Sequence, residues 1–241
     1  MTNTSGTRAR LCRFAVIAML VGIPAAIGRT AEASAVAAKV SSTAMSGLDP
    51  AAWQGAAVGR INPKVFAMAL KSAAAAIERG DVSDPGTLTV IDYSKPSTER
   101  RMWVYDLHSR TLLFEELVSH GRGSGTTMAT SFSNDPESSR SSLGLYRTAE
   151  TYTGKHGYSL RIDGLEKGFN DRARARDIVI HAADYVNEKT AKAQGYLGRS
   201  LGCPALRPEV TKQVIDAVRG GGLIFAYYPD PEWLRTSKYL T

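Results

Sequence analysis

"DIVIHAADY", residues 177–185, places three β-branched apolar residues, Ile178, Val179 and Ile180, directly before a histidine. Such a run suits a strand anchored in a core, and His181 then emerges at the strand's edge on a rigid base. The same texture extends on both sides. "TLTVIDYS" (87–94), "RRMWVYDL" (100–107), "TLLFEELVSHG" (111–121), "LGLYRTAETY" (143–152), "YSLRIDG" (158–164) and "GLIFAYYP" (222–229) are each rich in β-branched and aromatic residues and are separated by turn signals. The charged turn "HSR" (108–110) predicts a hairpin. Together these segments predict a mainly β domain over residues 85–230.

Two helices flank the strands. "NPKVFAMALKSAAAAIERG" (62–80) has Asn62 as N-cap, Pro63 at the first helical position and Gly80 as a stop, within an N-terminal helical segment over 61–84. "PEVTKQVIDAVRGG" (208–221) starts at a proline and ends on glycines. Residues 231–241 form a C-terminal tail whose helical turn is expected to pack through Trp233 and Leu234.

The amino terminus has the layout of an export signal: Arg8, Arg10 and Arg13 lead into an apolar run from Phe14 to Ile27, then small residues up to Ala35. The run is short for a bilayer span, so no integral membrane segment is expected after cleavage. Cys12 precedes the apolar core and lacks the Leu-x-x-Cys setting of a lipid anchor. Residues 36–60, rich in Ala, Ser and Gly, read as a flexible lead. Removing 1–35 takes four of the 30 basic and one of the 23 acidic residues, so a net charge of +7 falls to +4. A nucleic-acid partner is not expected, and "DRARARD" (171–177) reads as a solvated loop. A mild positive charge suits an anionic polymer such as a cell wall.

Cleavage would leave a single cysteine, Cys203, in the turn "GRSLGCPAL" (198–206). A retained thiol outside the cytoplasm is either buried and inert or chemically used, and both readings stand on the residues alone. Its neighbours Arg199, Ser200, Gly202 and Pro204 are not core company. A thiol needs a base, and His181 lies 22 residues upstream across a polar loop with two glycines. Glycine before the cysteine allows a sharp turn that would free the amides of Gly202 and Cys203 as an oxyanion hole. No H-E-x-x-H or paired cysteines are present.

"IHAADYV" (180–186) followed by "GRSLGCPAL" resembles the L,D-transpeptidase (YkuD-like) catalytic domain, in the murein branch that carries GRS-x-GCPA. "VSHGRGSG" (118–125), "SSLGLYRTAETYTGKHGYSLRIDGL" (141–165) and "GGGLIFAYYPD" (220–230) match its upstream and downstream features. The resemblance implies a β-sandwich of mixed sheets with a few flanking helices. It implies Cys203 as nucleophile, His181 as base, the Ala182 carbonyl as the group that holds the imidazole tautomer, and Gly202 with Cys203 as oxyanion donors. It further implies peptidoglycan stem peptides as partners, 3–3 crosslinks as product, no metal or organic cofactor, and a periplasmic or cell-wall location. The family's histidine before Gly-Cys is Leu201 here, while Ser200 retains the loop serine. Arg199 and Ser200 beside the thiol, with His156 and Tyr158 in "KHGYS", are the candidate substrate contacts; Arg199 as a surface cation and "KHGYS" as a solvated turn remain open. Ser142 and Tyr146 either shape the site or merely start a strand. An L,D-carboxypeptidase or other peptidoglycan amidohydrolase, and a non-catalytic wall-binding protein, are the rival functions.

Overall fold

The computed structural model describes residues 45–241, so the signal segment and residues 36–44 of the lead lie outside the described residues. Eight strands form one hydrogen-bonded sheet: β1 (Thr87–Asp92), β2 (Met102–Asp106), β3 (Thr111–Glu116), β4 (Gly144–Gly154), β5 (Gly157–Gly164), β6 (Val179–Ala182), β7 (Ala205–Leu206) and β8 (Leu223–Tyr227). Their order is β3-β2-β1-β8-β4-β5-β6-β7. The β1–β8 and β6–β7 pairs are parallel and the others antiparallel, which makes the sheet mixed. Every residue of β1 is buried, as a central strand covered on both faces requires.

The helices are α1 (Pro63–Glu78), α2 (Glu188–Gln194), α3 (Pro208–Val218) and α4 (Pro231–Thr236). α1 starts as its sequence dictates: the Asn62 side chain accepts from the Lys64 amide at 2.9 Å, with Pro63 at the first helical position. Its Ala69, Leu70 and Ala73 are fully buried in the core. α2 lies in the segment read as a polar loop. Asn187 caps it and left-handed Gly195 ends it, but only Ala191 is buried, so it has no apolar periodicity to betray it.

Part of the lead differs from the flexible reading. A short 3-10 turn, Pro50–Trp53, buries Trp53 against Phe66 and Tyr105, with ring centroids 5.1 and 5.4 Å away, and the indole N–H donates to the Gly47 carbonyl. Burying an indole removes on the order of 200 Å² from water, several kcal/mol at ~25 cal/mol/Å², and this outweighs the low complexity of the surrounding residues. At the other end α4 buries Trp233, whose indole N–H donates to the buried Glu166 carboxylate at 3.1 Å.

The two ends of the strand order meet. Past β3 the chain runs beside the approach to β7: the Ser119 amide donates to Ala205 O (3.0 Å), the Ser200 amide to His120 O (3.0 Å) and the Arg122 amide to Ser200 O (2.8 Å). Gly121 and Ser200 form a parallel bridge. The sheet is therefore rolled nearly into a barrel, and Cys203 sits on the seam where it closes.

Candidate active site

β6 carries His181 and pairs in parallel with β7, setting His181 opposite Ala205. Between them the chain leaves β6, makes α2 and returns through residues 198–204. Cys203, two residues before Ala205, thereby lies beside Val179, whose amide donates to Sγ at 3.5 Å. The thiol itself donates to Asp177 O at 3.6 Å. His181 Nδ1 lies 2.8 Å from Ala182 O. A carbonyl only accepts, so Nδ1 carries the proton and Nε2 keeps a free lone pair. Among the described residues no hydrogen bond yet joins Sγ to the imidazole.

Both groups are held in their neutral forms. Burial lowers the His181 pKa, the Ala182 carbonyl opposes that, and His156 lowers it further. Burial raises the Cys203 pKa, against the Val179 amide and the charge of Arg176. His156 comes from the tip between β4 and β5 and stacks on the His181 ring, centroids 4.3 Å apart at 28°. Tyr158, from the same "KHGYS" turn, is turned elsewhere: its hydroxyl donates to Asp216 of α3 at 2.8 Å.

The cysteine turn is built by Ser200 and Gly202. Ser200 Oγ donates to Cys203 O (2.7 Å) and accepts from the Gly202 amide (3.0 Å). That corrects the expectation of a free Gly202 N–H for an oxyanion hole, because the serine hydroxyl has claimed it; the Cys203 amide, which faces its own sulfur, remains. Ser200 is accordingly a buried strut of the turn and not an open substrate contact. Arg199 is also engaged, donating to Gly125 O (3.1 Å) and lying over the Tyr196 ring. Leu201 is 62% exposed at the lip of the turn.

Gly202 has φ +132°, and a Cβ there would come within 2.8 Å of Arg140 O and of Ile178 Cδ1. Gly202→Ala is expected to destabilise the protein by roughly 1–3 kcal/mol, since the backbone leaves the region L-residues tolerate. Thermal unfolding checks this, and an unchanged midpoint would contradict it.

Behind the turn lies a network that the sequence reading did not find. The buried Arg101 guanidinium donates to Val118 O, Lys95 O and His120 Nδ1 (2.8 Å), so His120 accepts at Nδ1 and donates from Nε2 to Gly125 O. Burial, helped by Arg101, lowers the His120 pKa to about 4 and keeps it neutral. Ser141 Oγ accepts from the Gly121 amide and donates to Gly202 O, tying the "VSHG" and "SSLG" segments to the cysteine turn. Among the described residues no three acidic, histidine or cysteine side chains gather as a metal site. Nor is any helix of the described residues long and apolar enough to cross a membrane.

A family model described as the L,D-transpeptidase catalytic domain matches residues 57–227. The chain belongs to the L,D-transpeptidase catalytic-domain family. Solved structures that it is similar to include an L,D-transpeptidase from Mycobacterium smegmatis (16% identity, TM-score 0.37), covering 60% of each chain. Others are L,D-transpeptidase 3 from Mycobacterium tuberculosis (14%, TM-score 0.37, 60% of this chain and 62% of that one) and an L,D-transpeptidase from Stackebrandtia nassauensis (13%, TM-score 0.36, 78% and 91%). The chain spans about 60% of the length of the M. smegmatis enzyme. No curated protein sequence matches it.

Within this L,D-transpeptidase domain, the residues that carry the cysteine turn but escaped the sequence reading are Ser119, His120, Arg101 and Ser141. "VSHG" and "SSLG" were legible as familiar blocks; their contacts with residues 61 to 86 positions away were not. Arg176 differs from the solvated-loop reading of "DRARARD", since it alone of the three arginines is half-buried.

Proposed function

We propose that the protein is an exported cysteine acyltransferase that acts on peptidoglycan tetrapeptide stems and forms 3–3 crosslinks through a thioester. The observation that carries this is the His181–Ala182 contact: with Nδ1 committed to a carbonyl, Nε2 is a base on a rigid strand, beside the strand position against which Cys203 lies. Residues 1–35 are taken as the signal, 85–230 as the catalytic domain, and the place of action as the periplasm or cell wall.

In the reaction the thiol proton leaves Asp177 O for Nε2. Sγ then attacks the carbonyl of the third stem residue, forming a C–S bond as the proton moves to His181. The developing oxyanion accepts from the Cys203 amide. As the C–N bond to the terminal D-alanine breaks, His181 returns its proton to the leaving amine. The amine of a second stem attacks the thioester, gives its proton to His181, and the released sulfur recovers it. His156 over the imidazole face and Leu201 at the lip are the groups that meet the stems, and both stand clear of the hydrogen bonds that hold the turn.

The test is intact-mass spectrometry of the protein mixed with disaccharide-tetrapeptide, with muropeptide products analysed from the same tube. An acyl adduct on Cys203 with a crosslinked dimer is the expected result. An adduct that yields only tripeptide would replace this reading with an L,D-carboxypeptidase. Neither adduct nor product, with wall binding retained, would replace it with a non-catalytic wall-binding protein.

A further inference from the structure

Arg176 is the one arginine of "DRARARD" that is not spent on a carboxylate. Arg174 forks onto Asp163 and Glu150, and Arg172 lies 3.7 Å from Asp135. Arg176 is half-buried, and its hydrogen bonds run to neutral acceptors: Nη1 donates to Ser133 O (2.8 Å) and Ser142 Oγ (2.6 Å), Nη2 to Arg140 O (2.7 Å) and Ser138 Oγ (3.2 Å). Among the described residues no acidic side chain forms an ion pair with it. Withdrawing a cation from water without an anion is costly, and neutral acceptors recover only part of that cost.

The charge faces the cysteine turn. Nη2 lies 3.4 Å from where a Cβ would stand on Gly202, the residue before Cys203. The residue after Arg176, Asp177, offers the carbonyl that receives the thiol proton. We propose that Arg176 is a positioning residue for the nucleophile: its unmatched charge is matched by the Cys203 thiolate when the proton moves to His181, and its four hydrogen bonds clamp residues 133–142 against the turn. Since those bonds occupy both terminal nitrogens, Arg176 acts through the sulfur and does not grip the substrate.

The electrostatics agree from both sides. Arg176 lowers the thiol pKa against the larger effect of burial, and Tyr146, Cys203 and the more distant Asp135 carboxylate, which forms no ion pair with it, help Arg176 keep its proton against burial. The other charged or titratable groups that face the sulfur are the Asp177 carboxylate, which opposes its ionisation, and the Tyr93 and Tyr185 phenols, held neutral by burial.

The inference rests on Cys203 as the nucleophile proposed above, and its test uses no peptidoglycan. Iodoacetamide alkylation of the full chain is followed against pH, with the Cys203-containing peptide quantified by mass spectrometry. Arg176→Gln keeps N–H donors and removes the charge; Arg176→Lys keeps the charge and removes the fork. Ser138→Asp leaves Arg176 in place and sets a carboxylate where a hydroxyl already reaches Nη2, so it decides the matter even if Arg176→Gln does not fold. The alkylation midpoint is expected to rise in Arg176→Gln and Ser138→Asp, with alkylation at pH 7 slowed roughly tenfold, the effect of about one pKa unit. Arg176→Lys should stay near the wild type. An unmoved midpoint in Ser138→Asp, or equal shifts in Arg176→Lys and Arg176→Gln, overturns the proposal. A shifted midpoint in a protein that forms no acyl adduct would uphold the electrostatics and remove only the transpeptidase reading.

Discussion

Cys203→Ala is expected to lose the acyl adduct and to slow crosslink formation by on the order of 10⁴-fold or more, while its thermal midpoint stays close to the wild type. The activity loss follows from the role: nothing else in the turn is a nucleophile, because Ser200 Oγ is occupied by Cys203 O and the Gly202 amide and is buried. The small effect on stability follows from the geometry. The sulfur is held by two long contacts, 3.5 Å from the Val179 amide and 3.6 Å to Asp177 O, whereas the turn is held by Ser200, Ser141 and the seam between Ser119 and Ala205. Muropeptide analysis beside a thermal melt separates the two. Product at the wild-type rate from a folded Cys203→Ala protein would refute the acyltransferase reading.

The second large effect belongs to His181. His181→Ala is expected to cut acylation by on the order of 10²–10⁴-fold, the usual range for losing a positioned general base. The pH profile is the sharper readout. The competent form of the pair holds one proton, on sulfur or on Nε2. Activity therefore falls at low pH, when the imidazole takes a second proton, and at high pH, when the thiol loses its only one. Since burial lowers the His181 pKa and raises that of Cys203, the acid limb should lie below the usual histidine value of about 6.5 and the alkaline limb above the usual thiol value of about 8.5. The result is a broad bell measured as kcat/KM against pH. In His181→Ala the acid limb should vanish, and its persistence would assign that limb to another group.

The strands and the two chemical blocks were readable because their signals are local. β1, β2, β4, β5 and β8 lie where runs of β-branched and aromatic residues stand between turn signals, and α1 and α3 lie where a proline start meets a glycine stop. His181 followed from a β-branched run, Cys203 from its unusual company. What stayed hidden has a common cause. Trp53 looked like part of a flexible lead because its partners, Phe66 and Tyr105, lie outside that segment. α2 carries one buried residue and so no period. His156 stood as an open candidate until the β4–β5 tip laid its ring on His181, whereas Tyr158, two residues on, was carried to Asp216.

The sequence by itself determined the mainly β texture, the placement of a histidine at a strand end and of a thiol in a glycine turn, since each depends on neighbours within one turn or strand. Only the tertiary structure decided how the sheet closes, which amide of the turn remains free, and which arginine of three is turned inward. Those outcomes depend on pairings such as Ser119 with Ala205, Ser200 with Gly202, and Arg176 with Ser133 and Ser142. Each is won by competition among donors and acceptors that meet only after the chain has folded, as where a serine hydroxyl takes the Gly202 amide.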